Sequence, residues 1–144
     1  MFYQLKSEQI AGYLFSFNPE PGTVLENSPR VPIARTRRIQ LVKNLIESHD
    51  LSETAVEFDE SGAIRAIDAP VELLDRVTNH GVAFMTDGCP DRHGEMACNR
   101  PYGSYRPGEE FRDYPFLPNA SDLEVIQNEM KLEEITKKGD AAFA

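Results

Sequence analysis

The sequence predicts an α/β protein in which strands and helices alternate around a parallel sheet. Residues 9–17 form a nearly continuous apolar run, rich in aromatic side chains, that ends in a cluster of turn residues. The segment from Ile33 to His49 carries apolar residues at helical spacing. Further short apolar runs alternate with a second helical segment, which is typical of βα units. The predicted strands are too few to close a barrel.

The first predicted strand, residues 9–17, suits a position that is buried on both faces, since it is short, apolar and followed by a turn. The helix predicted over Ile33 to His49 presents apolar residues at positions 39, 42, 45 and 46. Its basic residues are expected on or beside the other face of the helix: Arg35, Arg37, Arg38 and Lys43.

Two short strands are predicted at Thr54–Asp59 and Ala63–Ile67, with a tight turn between them. Pro70 is expected as the first residue of the next helix, because its missing N–H leaves no hydrogen bond unmade there. Gly81 is expected to end that helix in the left-handed conformation. Residues 82–86 predict one more short strand.

Residues 87–120 are predicted to be a long irregular loop that holds both cysteines, and such loops are uncommon in compact domains unless they are functional. Ser121 to Glu124 has the form of a capping box, which predicts a C-terminal helix over residues 121–138. The chain is therefore divided into residues 1–86, the cysteine-bearing loop and the C-terminal helix.

Composition excludes several classes of function. The net charge is −9 and the pI about 4.8, which argues against a nucleic-acid-binding surface. No stretch approaches the roughly 18 to 20 apolar residues of a membrane span, and no secretory signal is visible. With two cysteines and no signal, the sequence predicts a cytoplasmic protein in a reducing compartment.

Cys89 and Cys98 are the candidate metal ligands, because thiolates ligate iron and zinc. They can converge if residues 90–97 fold back, although two thiolates make only half of a four-coordinate site. His93 is a candidate third ligand for zinc. The alternative is that Cys89 is a small buried residue and Cys98 has no special role.

Arginines also recur in this loop, at Arg100, Arg106 and Arg112, with aromatic residues between them. Guanidinium groups bind carboxylates and phosphates and stack on aromatic rings. These arginines therefore either bind a ligand or belong to a loop that aromatic side chains fasten to the protein surface. Neither a serine-nucleophile motif nor a phosphate-binding glycine loop is present in the sequence.

Two stretches resemble a known family. Residues 13–27, YLFSFNPEPGTVLEN, precede a proline break and a helix rich in Arg and Gln. They resemble the sixth strand, loop and helix of biotin-synthase-like radical S-adenosylmethionine (SAM) barrels. Residues 84–90, FMTDGCP, followed by residues 98–102, CNRPY, and by Arg106-Pro107, resemble the C-terminal loop of radical SAM proteins with a Gly-Cys-Pro-x-Cys-Asn-Arg-Pro pattern. Two-component lipoyl synthases are among those proteins.

The resemblance implies a partial (β/α) barrel, made of its C-terminal strands and helices with the long cysteine-bearing loop and a C-terminal helix. The site of such a barrel lies at the carboxyl ends of the strands. Asn18, Gly22 and Thr23 would border the adenosyl group of SAM. Cys89 and Cys98 would ligate an auxiliary iron–sulfur cluster, with Arg100 and Arg106 anchoring the substrate or the loop.

The sequence departs from the family in three respects. The cluster motif Cys-x3-Cys-x2-Cys does not occur in these 144 residues, and neither do the glycine-rich SAM segments of the earlier strands. The eight residues 90–97 also separate Cys89 from Cys98 by more than the family pattern allows. The resemblance therefore implies radical chemistry only when a cluster-bearing partner completes the enzyme. Sulfur insertion into a small-molecule or carrier-bound substrate is one form of that chemistry. The alternative is a small zinc-binding or scaffold module that docks on a partner protein.

Overall fold

The computed structural model describes residues 1–93, 96–98 and 111–136, and helices dominate in these ranges. The elements are α1 (Phe2–Ser7), α2 (Ile33–His49), β1 (Val56–Phe58), β2 (Ile64–Ile67), α3 (Val71–His80), β3 (Cys89–Pro90), β4 (Met96–Cys98) and α4 (Ala120–Met130). β1 pairs with β2 and β3 pairs with β4, both antiparallel. Among the described helices, none combines the length and the apolarity that crossing a bilayer requires.

The predicted partial (β/α) barrel is wrong. A (β/α) barrel is built from parallel strands, whereas the two strand pairs in the described ranges are antiparallel. The apolar run over residues 10–17 forms neither helix nor strand. Ile10 is 50% exposed and Phe15 is 66% exposed, so this segment is not buried on both faces. A strand needs a hydrogen-bonded neighbour, and the described part of the chain supplies none beside this segment.

The core is organised around α2, which contacts α1, α3 and α4. Leu41 and Leu45 of α2 are fully buried. They belong to a single apolar cluster, to which the other elements add Val56, Ile64, Ile67, Leu74, Val77, Phe84, Tyr114, Ile126, Met130 and Ile135. The helical spacing predicted for this segment is thus confirmed, and its apolar face is the centre of the molecule.

Two of the basic residues that the sequence placed on or beside the other face of α2 are buried. Arg37 is fully buried and Lys43 is 8% exposed. The Arg37 guanidinium donates hydrogen bonds to the carboxylate of Glu129 at 2.8 Å and to the backbone oxygen of Phe111 at 2.6 Å. It also donates to the backbone oxygen of Arg112. Burial is tolerated because these acceptors replace the water that the charge loses.

The strands predicted around the turn at residues 60–62 are confirmed, and they pair as a hairpin rather than within a parallel sheet. One carboxylate oxygen of Asp59 accepts hydrogen bonds from the backbone N–H groups of Ser61 and Ala63, at 2.8 and 2.9 Å. Gly62 adopts a φ of 72°, which glycine reaches without steric cost. Side-chain and backbone chemistry therefore both specify this turn.

The helix predicted after Pro70 is confirmed as α3, with Pro70 as its N-cap rather than its first residue. Gly81 ends it at a φ of 80°, as predicted. The strand predicted over residues 82–86 is wrong: residues 82–84 form a 3₁₀ turn, and only Met85 makes a parallel bridge, to Tyr114. The turn follows directly because the backbone at Gly81 redirects the chain.

The C-terminal helix exists, but its bounds differ from the predicted residues 121–138. α4 begins after Asn119, whose side chain accepts from the N–H groups of Ser121 and Asp122, while Asp122 accepts from the N–H of Asn119. This capping box lies two residues before the predicted one. α4 ends at Met130 because Lys131 turns to a left-handed φ of 50°.

Candidate functional site

The β3–β4 pair brings the two cysteines to opposite positions. Its register joins Cys89 to Cys98 and Pro90 to Met96, so that Ala97 is an extra residue on β4. Directly opposed residues of an antiparallel pair have Cα atoms about 4.5–5.5 Å apart. The backbones of the two cysteines are therefore as close as ligation by both of them requires.

Cys89 is a free and exposed thiol. It follows Gly88, which adopts a φ of 67° and turns the chain into β3. The prediction that Cys89 is buried, which was the alternative to a chemical role, is thus wrong. An exposed thiolate is accessible both to a metal centre and to a thiol reagent.

His93, the candidate third ligand for zinc, contacts its neighbours in sequence. Its Nε2 accepts a hydrogen bond from Nε of Arg92 at 2.9 Å, and its backbone N–H donates to Asp91 at 2.7 Å. In the ranges that the structure describes, no three His, Cys, Asp or Glu side chains converge in a way that could hold a metal ion.

The residues that the resemblance assigns to SAM lie in and beside an exposed turn. Gly22 donates its N–H to the carboxylate of Glu26 at 2.7 Å, and the hydroxyl of Thr23 donates to the backbone oxygen of Glu20 at 2.8 Å. Both donors are therefore used within the turn. Asn18 is half-buried, and its side-chain oxygen is buried without a hydrogen-bond partner. Of the three, only Asn18 offers an unused buried acceptor.

Arg100 and Arg106 lie outside the described residues. Arg112, the third arginine of the series, is buried and donates to the backbone oxygen of Val31 at 2.7 Å and to the hydroxyl of Thr36 at 3.0 Å. Phe111 packs edge-on against Tyr114, with ring centroids 4.6 Å apart. The interpretation of a loop fastened by aromatic side chains therefore fits Arg112.

A cleft that the sequence did not reveal lies along α2, beside the residues that precede β3. Nζ of Lys43 donates to the carboxylates of Glu47 and Asp87, each at 2.8 Å. Asp87 in turn accepts the backbone N–H of Leu14 at 2.9 Å. A cavity of about 260 Å³ is lined by these residues together with Asp113.

An ion pair in this cleft holds the residues just before β3 in place. Asp87 lies two residues before Cys89, so the Lys43–Asp87 ion pair ties the start of the cysteine-bearing segment to the central helix. The second oxygen of Asp87 ties residues 10–17 to the same point. The sequence offered no signal for this contact, because helical spacing only placed Lys43 on or beside the face opposite the apolar residues.

The charge state of Lys43 follows from two opposed effects. Burial alone would lower its pKa, but hydrogen bonds and charge from Asp87 and Glu47 outweigh burial, so the pKa is raised. Lys43 is therefore a permanent cation at neutral pH. Its role is to hold Asp87, since it cannot accept a proton there.

Comparisons with protein-family models, with curated proteins and with solved structures each found no match. Functional interpretation therefore depends on the residues and geometry of this chain.

Proposed function

We propose that this chain is an accessory part of a radical SAM iron–sulfur enzyme of the biotin synthase or two-component lipoyl synthase type, and that it supplies Cys89 and Cys98 to an iron–sulfur cluster. The observation that carries the proposal is the register of β3 and β4, which sets these two cysteines directly opposite each other. They are the cysteines of the Gly-Cys-Pro and Cys-Asn-Arg-Pro stretches, and residues 90–97 do not separate them in space.

The donor chemistry suits such a cluster. Iron–sulfur clusters are held by thiolates, commonly four, and this chain offers two. The remaining ligands come from outside the described residues. A bound cluster would supply electrons or sulfur to the reaction. The chain's own contribution is to hold the two thiolates on a short strand pair whose start is fixed by the Lys43–Asp87 ion pair.

Binding of SAM is proposed for the turn that contains Asn18, Gly22 and Thr23. Asn18 would contribute largely through its backbone, since its side-chain oxygen is buried. Gly22 and Thr23 contribute through the shape of the turn, since their donors already bond to Glu26 and Glu20.

The proposed partner carries the Cys-x3-Cys-x2-Cys triad, which these 144 residues lack. Five exposed large apolar residues lie close together in the sequence, at Ile10, Tyr13, Phe15, Val24 and Leu25. Exposed apolar side chains are available to a protein partner. Residues 10–25 are therefore the proposed docking surface for the triad-bearing polypeptide, and the chain alone is expected to be inactive.

Anaerobic reconstitution of the full chain with iron and sulfide tests the cluster proposal. We expect iron and sulfide to bind in stoichiometric amounts with visible charge-transfer absorption, and expect Cys89→Ser and Cys98→Ser each to abolish it. The matched control is His93→Ala, which should retain the cluster. Binding of zinc without iron, lost in His93→Ala, would instead establish the zinc module, and iron binding that survives the double cysteine variant would refute both.

A further inference from the structure

We propose that Cys89 and Cys98 form a reversible cross-strand disulfide by exchange with a low-molecular-weight disulfide such as glutathione disulfide. The proposal needs only the strand register and does not depend on a cluster. It assigns to the two cysteines a modification that the metal-binding role does not include.

The backbone geometry meets the requirements of a disulfide. Cys89 and Cys98 are paired directly in the antiparallel register. Such pairs have Cα atoms about 4.5–5.5 Å apart, and disulfides span Cα separations of about 4.4–6.8 Å. Because β3 and β4 already close the loop between the cysteines, little further ordering of the chain is needed.

The exchange proceeds in two balanced steps. The exposed Cys89 attacks as its thiolate on one sulfur of glutathione disulfide, forming a mixed disulfide and releasing one glutathione thiolate. The thiolate of Cys98 then attacks the Cys89 sulfur and releases the second glutathione thiolate. Two protein thiols are oxidised and one small disulfide is reduced to two thiols, whose sulfurs take up the two protons that the protein thiols lose.

A disulfide has consequences for the proposed site. Metal ligation requires thiolates, so a closed disulfide and a bound cluster exclude each other. This one consequence rests on the proposed function; formation of the disulfide does not.

The test uses the full, metal-free chain in anaerobic mixtures of reduced and oxidised glutathione, quenched by acid and analysed by intact mass and alkylation. We expect a monomer that has lost two hydrogens, carries no glutathione and regains both thiols with excess reduced glutathione. Cys89→Ser and Cys98→Ser should each accumulate a glutathione adduct instead. Persistent adducts on both cysteines of the unaltered chain, or disulfide-linked dimers, would overturn the proposal.

A register control separates strand pairing from a merely flexible loop. The double variant Ala97→Cys, Cys98→Ser keeps two cysteines but moves the second to the unpaired bulge position. We expect the equilibrium constant for forming the intramolecular disulfide by exchange with glutathione disulfide to fall by about tenfold or more, because the strand pair must then shift. Equal closure in both proteins would show that the register has no effect. No iron is present, so failure of the cluster proposal leaves the result intact.

Discussion

Arg37 is a buried charged residue that the spacing of apolar residues along its helix did not predict. Its side chain lies inside the molecule, where it joins α2 to the backbone at Phe111 and Arg112 and to Glu129 of α4. Helical spacing of apolar residues could not reveal this, because an arginine on a helix is usually exposed. Polar partners 74 to 92 positions away in sequence decide its burial.

Replacing Arg37 by alanine is expected to destabilise the protein by about 3 kcal/mol or more, because buried carbonyl oxygens and a carboxylate lose their donor together. Arg37→Lys should recover only part of this, since an ammonium group cannot span the same planar set of acceptors. Urea denaturation followed by circular dichroism measures both. The control is Arg65→Ala. Because Arg65 is exposed and paired with Glu57, this substitution should lower the free energy of unfolding by less than about 1 kcal/mol. Equal losses at the two arginines would contradict the structure.

Lys43 should make stability depend on alkaline pH. Its pKa is raised above the ordinary value of 10.5, so its ion pairs stabilise the fold below that pH and are lost as pH rises through the raised pKa. The difference in free energy of unfolding between the wild type and Lys43→Met should therefore be largest near neutral pH and shrink at alkaline pH. Burial raises the pKa values of Tyr3 and Tyr114. Both tyrosines titrate alike in the two proteins, so their contributions cancel in the difference. A difference that does not change with pH would show that the ion pairs contribute nothing.

At the scale of elements, local chemistry decided which predictions held. The β1–β2 hairpin and α3 were predictable because their ends require a positive φ, and Gly62 and Gly81 adopt it without steric cost. Residues 9–17 were not, because an apolar run specifies burial without specifying what covers it. The sequence also could not show that Cys89 and Cys98 lie opposite each other. It allowed this arrangement, but the register depends on how the two strands pair.

The start of α4 provides a direct test between sequence pattern and structure. Asn119→Ala should cost about 1 kcal/mol, because it removes the acceptor of two otherwise unsatisfied N–H groups. Glu124→Ala, which would break the box predicted at Ser121, should change stability by less than about 0.5 kcal/mol. Thermal or urea unfolding of the two variants measures this. A larger loss from Glu124 than from Asn119 would place the cap where the sequence pattern put it.

At the scale of the whole molecule, a buried apolar core contrasts with an apolar segment that is exposed to solvent. α2 buries most of its apolar face against its neighbours, whereas residues 10–25 keep several large apolar side chains in solvent. Folding of the core does not require this segment to be covered. This segment is the docking surface that we propose for the triad-bearing polypeptide, and the loss of water-exposed apolar area would drive that association.

Phe15 offers the sharpest test of that association, because it is the most exposed aromatic residue described in the segment. Phe15→Ser should leave the free energy of unfolding of the isolated chain unchanged within about 0.5 kcal/mol. It should weaken binding to the triad-bearing polypeptide at least ~10-fold, as expected when an aromatic anchor is lost from an interface. Phe58→Ser is the matched control, since Phe58 of β1 is 57% exposed and lies outside the segment. Calorimetric titration of each variant with the partner should show weakening for Phe15→Ser alone, and equal affinities for both variants would remove residues 10–25 from the interface.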